Sequence, residues 1–298
     1  MSRSDVAFLS SNLKLAGHLY VPEGIAANTK LPAIVTVHPF GGVKEQTAGV
    51  YARDLSKELG CIALAFDRRH QGSSEGEPRQ LEDPFGMVED VKAAVTFLST
   101  LDNVDPARIG VLGICAGGGY ALAAASMDPR IKAVATVSGV DLGAFIRTLG
   151  KETLRGIIAK GVQARTEYAR TGAVNYLPIV PAKEDINETT MDLMREAHDY
   201  YLTPRGQFET QFNRTAIWSY DSIVPYDSFA YLEWISPRPV LLVAGSEADT
   251  LHYSKIAYEK ALEPKELYIV NGRTHVDLYD HGVPHVVPKL KEFFSQNL

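Results

Sequence analysis

A chain of 298 residues, 45% hydrophobic and 22% charged, is long enough to bury a full core, and with no low-complexity tract or repeat it reads as an ordinary folded protein. Its net charge of -6 comes with no stripe of Lys or Arg, which argues against a nucleic-acid partner. No stretch reaches the ~18 apolar residues of a membrane span, the N-terminal "MSRSDVAFLSSNLKLAGHLYVPEG" lacks a signal-peptide core, and two cysteines make no disulfide framework; the expectation is a cytoplasmic protein without a membrane partner.

In chain order, the opening "VAFLSSNLKLAGHLYVP" alternates like an antiparallel hairpin at the edge of a sheet. Short apolar, β-branched runs follow: "AIVTV" at 33–37, "CIALAF" at 61–66, "RIGVLGI" at 108–114 and "IKAVATVS" at 131–138. Each has the pattern of a strand buried on both faces. Two more, "PVLLVAG" at 239–245 and "ELYIV" at 266–270, come late. Helical patterns lie between them, clearest where Val88, Val91, Val95 and Leu98 recur along one face. Strands alternating with helices predict an α/β fold with a mostly parallel central sheet and right-handed crossovers. From 140 to 235 the alternation stops, and helical patterns and aromatic loops replace strong strands. So long an unstructured loop is improbable in a compact domain, which predicts a helical cap at 140–235 inserted into a core formed by 1–139 and 236–298.

The segment "GICAGGGY" places Cys115 between Gly113 and Gly117. Chance alone would give one of the two cysteines such flanks about one time in 80, so position must strengthen the signal. It does: the motif closes an apolar strand and opens the Ala-rich "AGGGYALAAASM", the strand, sharp turn and helix that a nucleophile elbow requires. Only small residues at 113 and 117 let strand and helix pass so closely. The helix N-terminus is expected to favour a thiolate and draw the Cys115 pKa below its free value. Cys61 begins an apolar strand with no motif around it and is expected to pack in the core.

A cysteine nucleophile needs a base and a group that orients the base, which follow an elbow of this kind in the order nucleophile, acid, histidine. After "VLLVAG" comes "SEADT", which offers Asp249; after "ELYIV" comes "NGRTHVDLYD", which offers His275. Glu247 and Asp277 are rivals for the acid, and His281 and His285 for the base, but the latter two lie by the final helical pattern, where a surface role is the plainer reading. His198 and His252 have no strand-end context. An oxyanion hole needs backbone N–H donors: Ala116, directly after the cysteine, is one, and Phe40 in "HPFGG" is the other, since Pro39 has no N–H.

Taken in order, "HPFGG", "DRRHQGSSEGEPR", "GICAGGGY", "GSEADT" and "THVDLYD" resemble the α/β-hydrolase superfamily, in its dienelactone-hydrolase-like branch that uses Cys-Asp-His. The resemblance spans nearly the whole chain. The cap, "EPRQLEDP" and "THVDLYD" look more like the capped hydrolases and polyketide transferases of that branch than its compact members. It implies an acyl-enzyme on Cys115 with His275 as base and Asp249 as its orienter. Most members of the superfamily carry serine at the elbow, so Cys115 speaks against fast general esterase activity. "DRRH" is more basic than is usual there and leaves Arg68, Arg69 and His70 open between anion binding and structural ion pairs, with structure favoured.

The expected activity is hydrolysis of an ester, lactone or thioester. Acyl transfer to an alcohol is the alternative, because a cysteine acyl-enzyme is a thioester open to acceptors other than water. A binding protein without turnover and a redox-sensing Cys115 are the readings from other classes. The substrate is expected to be a small acyl compound, apolar or aromatic; Phe208, Phe212, Trp218, Tyr220, Tyr226, Phe229, Tyr231 and Trp234 either line its pocket or pack the cap onto the sheet. No metal or other cofactor is expected, and a homodimer stays open.

Overall fold

Most of the apolar runs become strands within a residue or two of their expected limits. The computed structural model describes residues 1–26 and 29–298. The chain opens with β1 (Ser2–Ser10) and β2 (Leu13–Val21), an antiparallel hairpin in register from Ser2 opposite Val21 to Ser10 opposite Leu13. Next come β3 (Leu31–Val37), helix α1 (Thr47–Leu59), β4 (Ile62–Phe66), α2 (Pro84–Ser99), β5 (Val104–Ile114), α3 (Ala116–Met127) and β6 (Ile131–Val137).

Between β6 and the next strand of the sheet lies a largely helical segment. It contains α4 (Leu142–Arg147), α5 (Lys151–Thr171), α6 (Asp192–Leu202) and α7 (Ser219–Ile223), with a two-stranded ribbon of β7 (Tyr176–Leu177) and β8 (Thr215–Ala216). The chain then returns through β9 (Val240–Gly245), α8 (Leu251–Lys260), β10 (Lys265–Val270) and α9 (Val283–Asn297).

The eight long strands form one sheet in the order β1-β2-β4-β3-β5-β6-β9-β10. The pairs β1–β2 and β2–β4 are antiparallel and the rest parallel, so the hairpin lies at one edge as its alternation predicts. The inner strands can be apolar throughout because helices cover both faces. On one face Met87, Val91 and Val95 of α2 and Tyr120, Leu122 and Ala125 of α3 join Val35, Leu64 and Val111. On the other, Tyr51 and Leu55 of α1 and Val286, Leu290 and Phe294 of α9 join Ile34, Ala63 and Leu112. Parallel strands place their carboxyl ends along one edge, so the loops after β3, β5, β9 and β10 meet there and the helical segment after β6 packs over them. Among the described residues no helix is long and apolar enough to cross a membrane.

Candidate active site

Cys115 occupies the one-residue junction between β5 and α3, with φ 54° and ψ -124°. A residue with a β-carbon is strained there and persists only where its surroundings hold it. They do: the Cys115 N–H donates to Val137 O at 3.0 Å, and Cys115 O accepts from Gly118 N at 2.9 Å and Val140 N at 3.0 Å. The flanking glycines have the steric cause expected. A β-carbon on Gly113 would strike the Gly117 carbonyl, and one on Gly117 would strike the carbonyl oxygens of Val37 and His38. All of these are backbone atoms that cannot swing away.

The loop after β3 brings Phe40 to the cysteine. The backbone N–H groups of Phe40 and Ala116, the two donors the sequence offers, lie near enough to the Cys115 sulfur to favour its thiolate. The loop is held from beneath by Arg68, which is fully buried. Arg68 Nη2 donates to Pro39 O at 2.9 Å, its backbone N–H donates to His38 Nε2 at 3.2 Å, and His38 Nδ1 donates to Pro39 O at 2.8 Å. The guanidinium is paired with Glu82 at 2.9 Å, Tyr120 Oη donates to the same carboxylate at 2.7 Å, and the guanidinium carbon lies 4.8 Å from the centre of the Tyr120 ring. Arg69 pairs with Asp90 at 2.8 Å, while His70, at φ 67°, donates its N–H to Glu75 O across a turn. The basic run 67–70 is therefore scaffolding, the more ordinary of its two sequence readings.

The thiol departs from expectation. Burial pushes the Cys115 pKa up from its ordinary value near 9, outweighing the Tyr279 hydroxyl, the Ala116 and Phe40 amides and Arg68, all of which pull it down. The helix terminus was expected to win this contest, but it acts through the same few N–H groups, whereas desolvation acts on the whole thiolate. Iodoacetamide alkylation of Cys115 is consequently expected to keep accelerating as pH rises past 9; a plateau at neutral pH, read by peptide mapping against the Cys115→Ala protein, would contradict this. Cys61 behaves as expected of a core residue. It is buried, its thiol is pushed up to about 12, and its Sγ lies 3.6 Å from Leu55 O.

His275 follows β10 and is fully buried. Its partners are not those expected. Nδ1 lies 2.5 Å from Thr250 Oγ1 and Nε2 lies 3.1 Å from Tyr279 Oη, and among the described residues no carboxylate pairs with the ring. Desolvation alone pushes its pKa down to about 3, so the imidazole is neutral. Asp249 instead accepts the backbone N–H of Leu193 at 3.1 Å, where the first turn of α6 leaves an unsatisfied donor. Glu196 of α6 answers from the other side, accepting the Val276 N–H at 3.2 Å. The expected contact between Asp249 and His275 is thus replaced by Thr250, because α6 claims the carboxylate. The rivals stay outside: Glu247 accepts from the Ser246 hydroxyl, and the His281 ring lies beside Asp277 and Asp280 at the surface.

Sequence reasoning missed Thr250 and Tyr279, although each had a local signal. Thr250 directly follows Asp249. Tyr279 stands four residues after His275, within the same short loop after β10.

A cavity of about 50 Å³ adjoins the thiol. Phe40, Leu142, Phe145, Ile179, Leu193 and Met194 form much of its wall, and its polar side-chain groups are the Cys115 thiol and the hydroxyls of Tyr201 and Tyr279. The Tyr201 hydroxyl is buried and has no hydrogen-bond partner among the described residues. None of the eight aromatics offered by the sequence lines this cavity. Trp218 packs against Tyr168 at 5.5 Å and Tyr226 against Tyr120 at 5.9 Å, whereas Tyr231 and Trp234 stack on each other at the surface. Besides the loop after β3, the elbow and Tyr279, the lining comes mainly from α4, α6 and the bend at 179–180 that follows β7.

Comparison with known proteins agrees with this architecture. The dienelactone hydrolase family matches residues 15–153. The chain is 38% identical to the uncharacterized protein YcjY of Escherichia coli K12 over 100% of both chains. A crystal structure of hypothetical protein PA2218 from Pseudomonas aeruginosa aligns with a TM-score of 0.91 at 36% identity, covering 100% of this chain and 94% of that one. Thiohydrolase aneE of Aspergillus aculeatus is 29% identical over 91% of this chain and 86% of its own length, and polyketide transferases stand among the more distant relatives. The sheet order, the elbow after β5 and the end-to-end likeness to these relatives together place the chain in the dienelactone hydrolase family of α/β hydrolases.

Proposed function

We propose that the protein hydrolyses esters, lactones or thioesters of apolar acyl groups through a covalent thioester on Cys115. The observation that carries this reading is Cys115 at its strained junction with two backbone N–H groups converging on the sulfur. The sulfur attacks the carbonyl carbon while the S–H proton passes to His275. The developing oxyanion is held by the Phe40 and Ala116 N–H groups. The C–O or C–S bond to the leaving group then breaks, and the imidazolium returns the proton to it. Water then attacks the thioester as its O–H proton passes to His275, the C–S bond breaks to release the acid, and the imidazolium returns the proton to the sulfur, restoring the thiol.

In this reading the segment 140–235 is a lid. A space of about 50 Å³ holds no more than a few waters, at ~10–15 Å³ of such space each, so an acyl substrate enters when α6 moves. That movement parts Leu193 from Asp249 and releases the carboxylate one residue from Thr250. There it takes over Nδ1 as the imidazolium forms.

Acyl transfer to an alcohol is the second reading. It is supported by the apolar wall of the cavity and by the polyketide transferases among the relatives.

Intact-protein mass spectrometry after mixing with p-nitrophenyl esters, lactones and acyl thioesters of short fatty acids tests the proposal. The expected result is an acyl mass on the peptide bearing Cys115, with turnover, and neither with Cys115→Ala. No adduct and no turnover across the panel, or full turnover by Cys115→Ala, would reject it. Competition between water and added alcohols separates hydrolysis from transfer.

A further inference from the structure

We propose that Tyr279 is a catalytic residue of this site, its hydroxyl carrying the proton between Cys115 and His275. The inference rests on the thioester reading above. It stands on the order of the groups: Tyr279 Oη is 3.1 Å from His275 Nε2, and Tyr279 and Cys115 line the same cavity with the phenol close enough to favour the thiolate, so a phenol meets the base on the side of the nucleophile.

Tyr279 is well fixed for this task. It ends a short helical turn, Asp277–Tyr279, donates its N–H to Val276 O at 2.9 Å, and follows Leu278, whose carbonyl accepts from Tyr51 Oη of α1 at 2.7 Å. Both elements that carry Tyr279 and His275 belong to the core, so movement of α6 leaves their contact in place. The tautomer also fits. With Nδ1–H donated to Thr250 Oγ1, Nε2 presents its lone pair to the phenol.

The step balances without any other reactant. As sulfur attacks the carbonyl, the S–H bond breaks and its proton bonds to Tyr279 Oη, while the phenol's original O–H bond breaks and that proton bonds to Nε2. Tyr279 ends as a neutral phenol, and the charge appears on the oxyanion and the imidazolium. Departure of the leaving group runs the relay in reverse. Burial favours the neutral phenol throughout, since it pushes the Tyr279 hydroxyl well above its ordinary value.

The test is Tyr279→Phe, which keeps the ring and removes the hydroxyl. Single-turnover acylation by a p-nitrophenyl ester is expected to slow about 100-fold, with KM and melting temperature near those of the parent. In mixtures of light and heavy water the parent's acylation rate should bow with deuterium content, because two protons move together, and the variant's should not. If Cys115→Ala keeps turnover, the thioester reading itself falls. Should Cys115→Ala be inert while Tyr279→Phe acylates at the parent's rate, the relay alone is overturned. If Tyr279→Phe fails to fold, 3-fluorotyrosine incorporated at 279 replaces it: a changed acylation rate at parental stability supports the relay, and an unchanged one overturns it.

Discussion

Glu82→Ala is expected to lower the melting temperature by about 10 °C, from a loss of about 3–5 kcal/mol, because it strands the Arg68 guanidinium in the core. Both side chains of the pair are fully buried and 2.9 Å apart, and the carboxylate also takes the Tyr120 hydroxyl proton. An unpaired buried charge cannot recover its hydration, so the cost is set by desolvation and exceeds the worth of the contact. The triple change Arg68→Met, Glu82→Leu, Tyr120→Phe removes the charges and the hydroxyl together, and much of the stability should return. Turnover should not return with it. Arg68 also holds Pro39 O at 2.9 Å, and the next residue supplies the Phe40 N–H beside the sulfur. Thermal melts and esterase rates on the single and triple variants read the two roles separately; recovery of both stability and turnover in the triple variant would deny the loop-holding role.

This pair marks where sequence stops being informative. Strands β3 to β6 were legible because a parallel strand covered on both faces must be apolar throughout, and the elbow was legible because Gly113 and Gly117 answer to backbone atoms close by. His275 could be placed because it follows the last strand. The partner of Arg68 lies 14 residues away across a turn, and "DRRH" read alone favours a structural role for Arg68 without naming that partner. The aromatics of 208–234 mislead for a related reason. Size and apolarity suit a pocket wall and a packing surface alike, and which one they become depends on how the segment lies against α3 and α5. That Thr250, the residue after Asp249, stands at Nδ1 in this arrangement was not legible, because the donor that holds the Asp249 carboxylate, the Leu193 N–H, lies on α6 outside the motif.

That displaced carboxylate leads to the second large effect: Asp249→Asn is expected to lower kcat by about 10³-fold, the scale on which a base loses its acid partner, while leaving the folded protein almost unchanged. In the structure Asp249 touches no part of the imidazole, so the closed arrangement alone would forecast a negligible loss. The expectation comes from what opening must do. Leu193 and Met194 stand on the cavity wall, and α6 cannot withdraw from the sulfur without breaking the Leu193 N–H bond to Asp249. A hydroxyl at Nδ1 serves a neutral ring adequately, but an imidazolium in this buried pocket calls for a negative charge, and the freed carboxylate of Asp249, the residue before Thr250, supplies it. Asparagine still accepts the Leu193 N–H, so the melting temperature and the rate of Cys115 alkylation should stay close to those of the parent. Thr250→Val, by contrast, should cost kcat no more than about 10-fold, since it removes one hydrogen bond to the neutral ring. A kcat for Asp249→Asn within threefold of the parent, together with a large loss in Thr250→Val, would show that the carboxylate only fastens α6 and that the threonine hydroxyl alone serves the base.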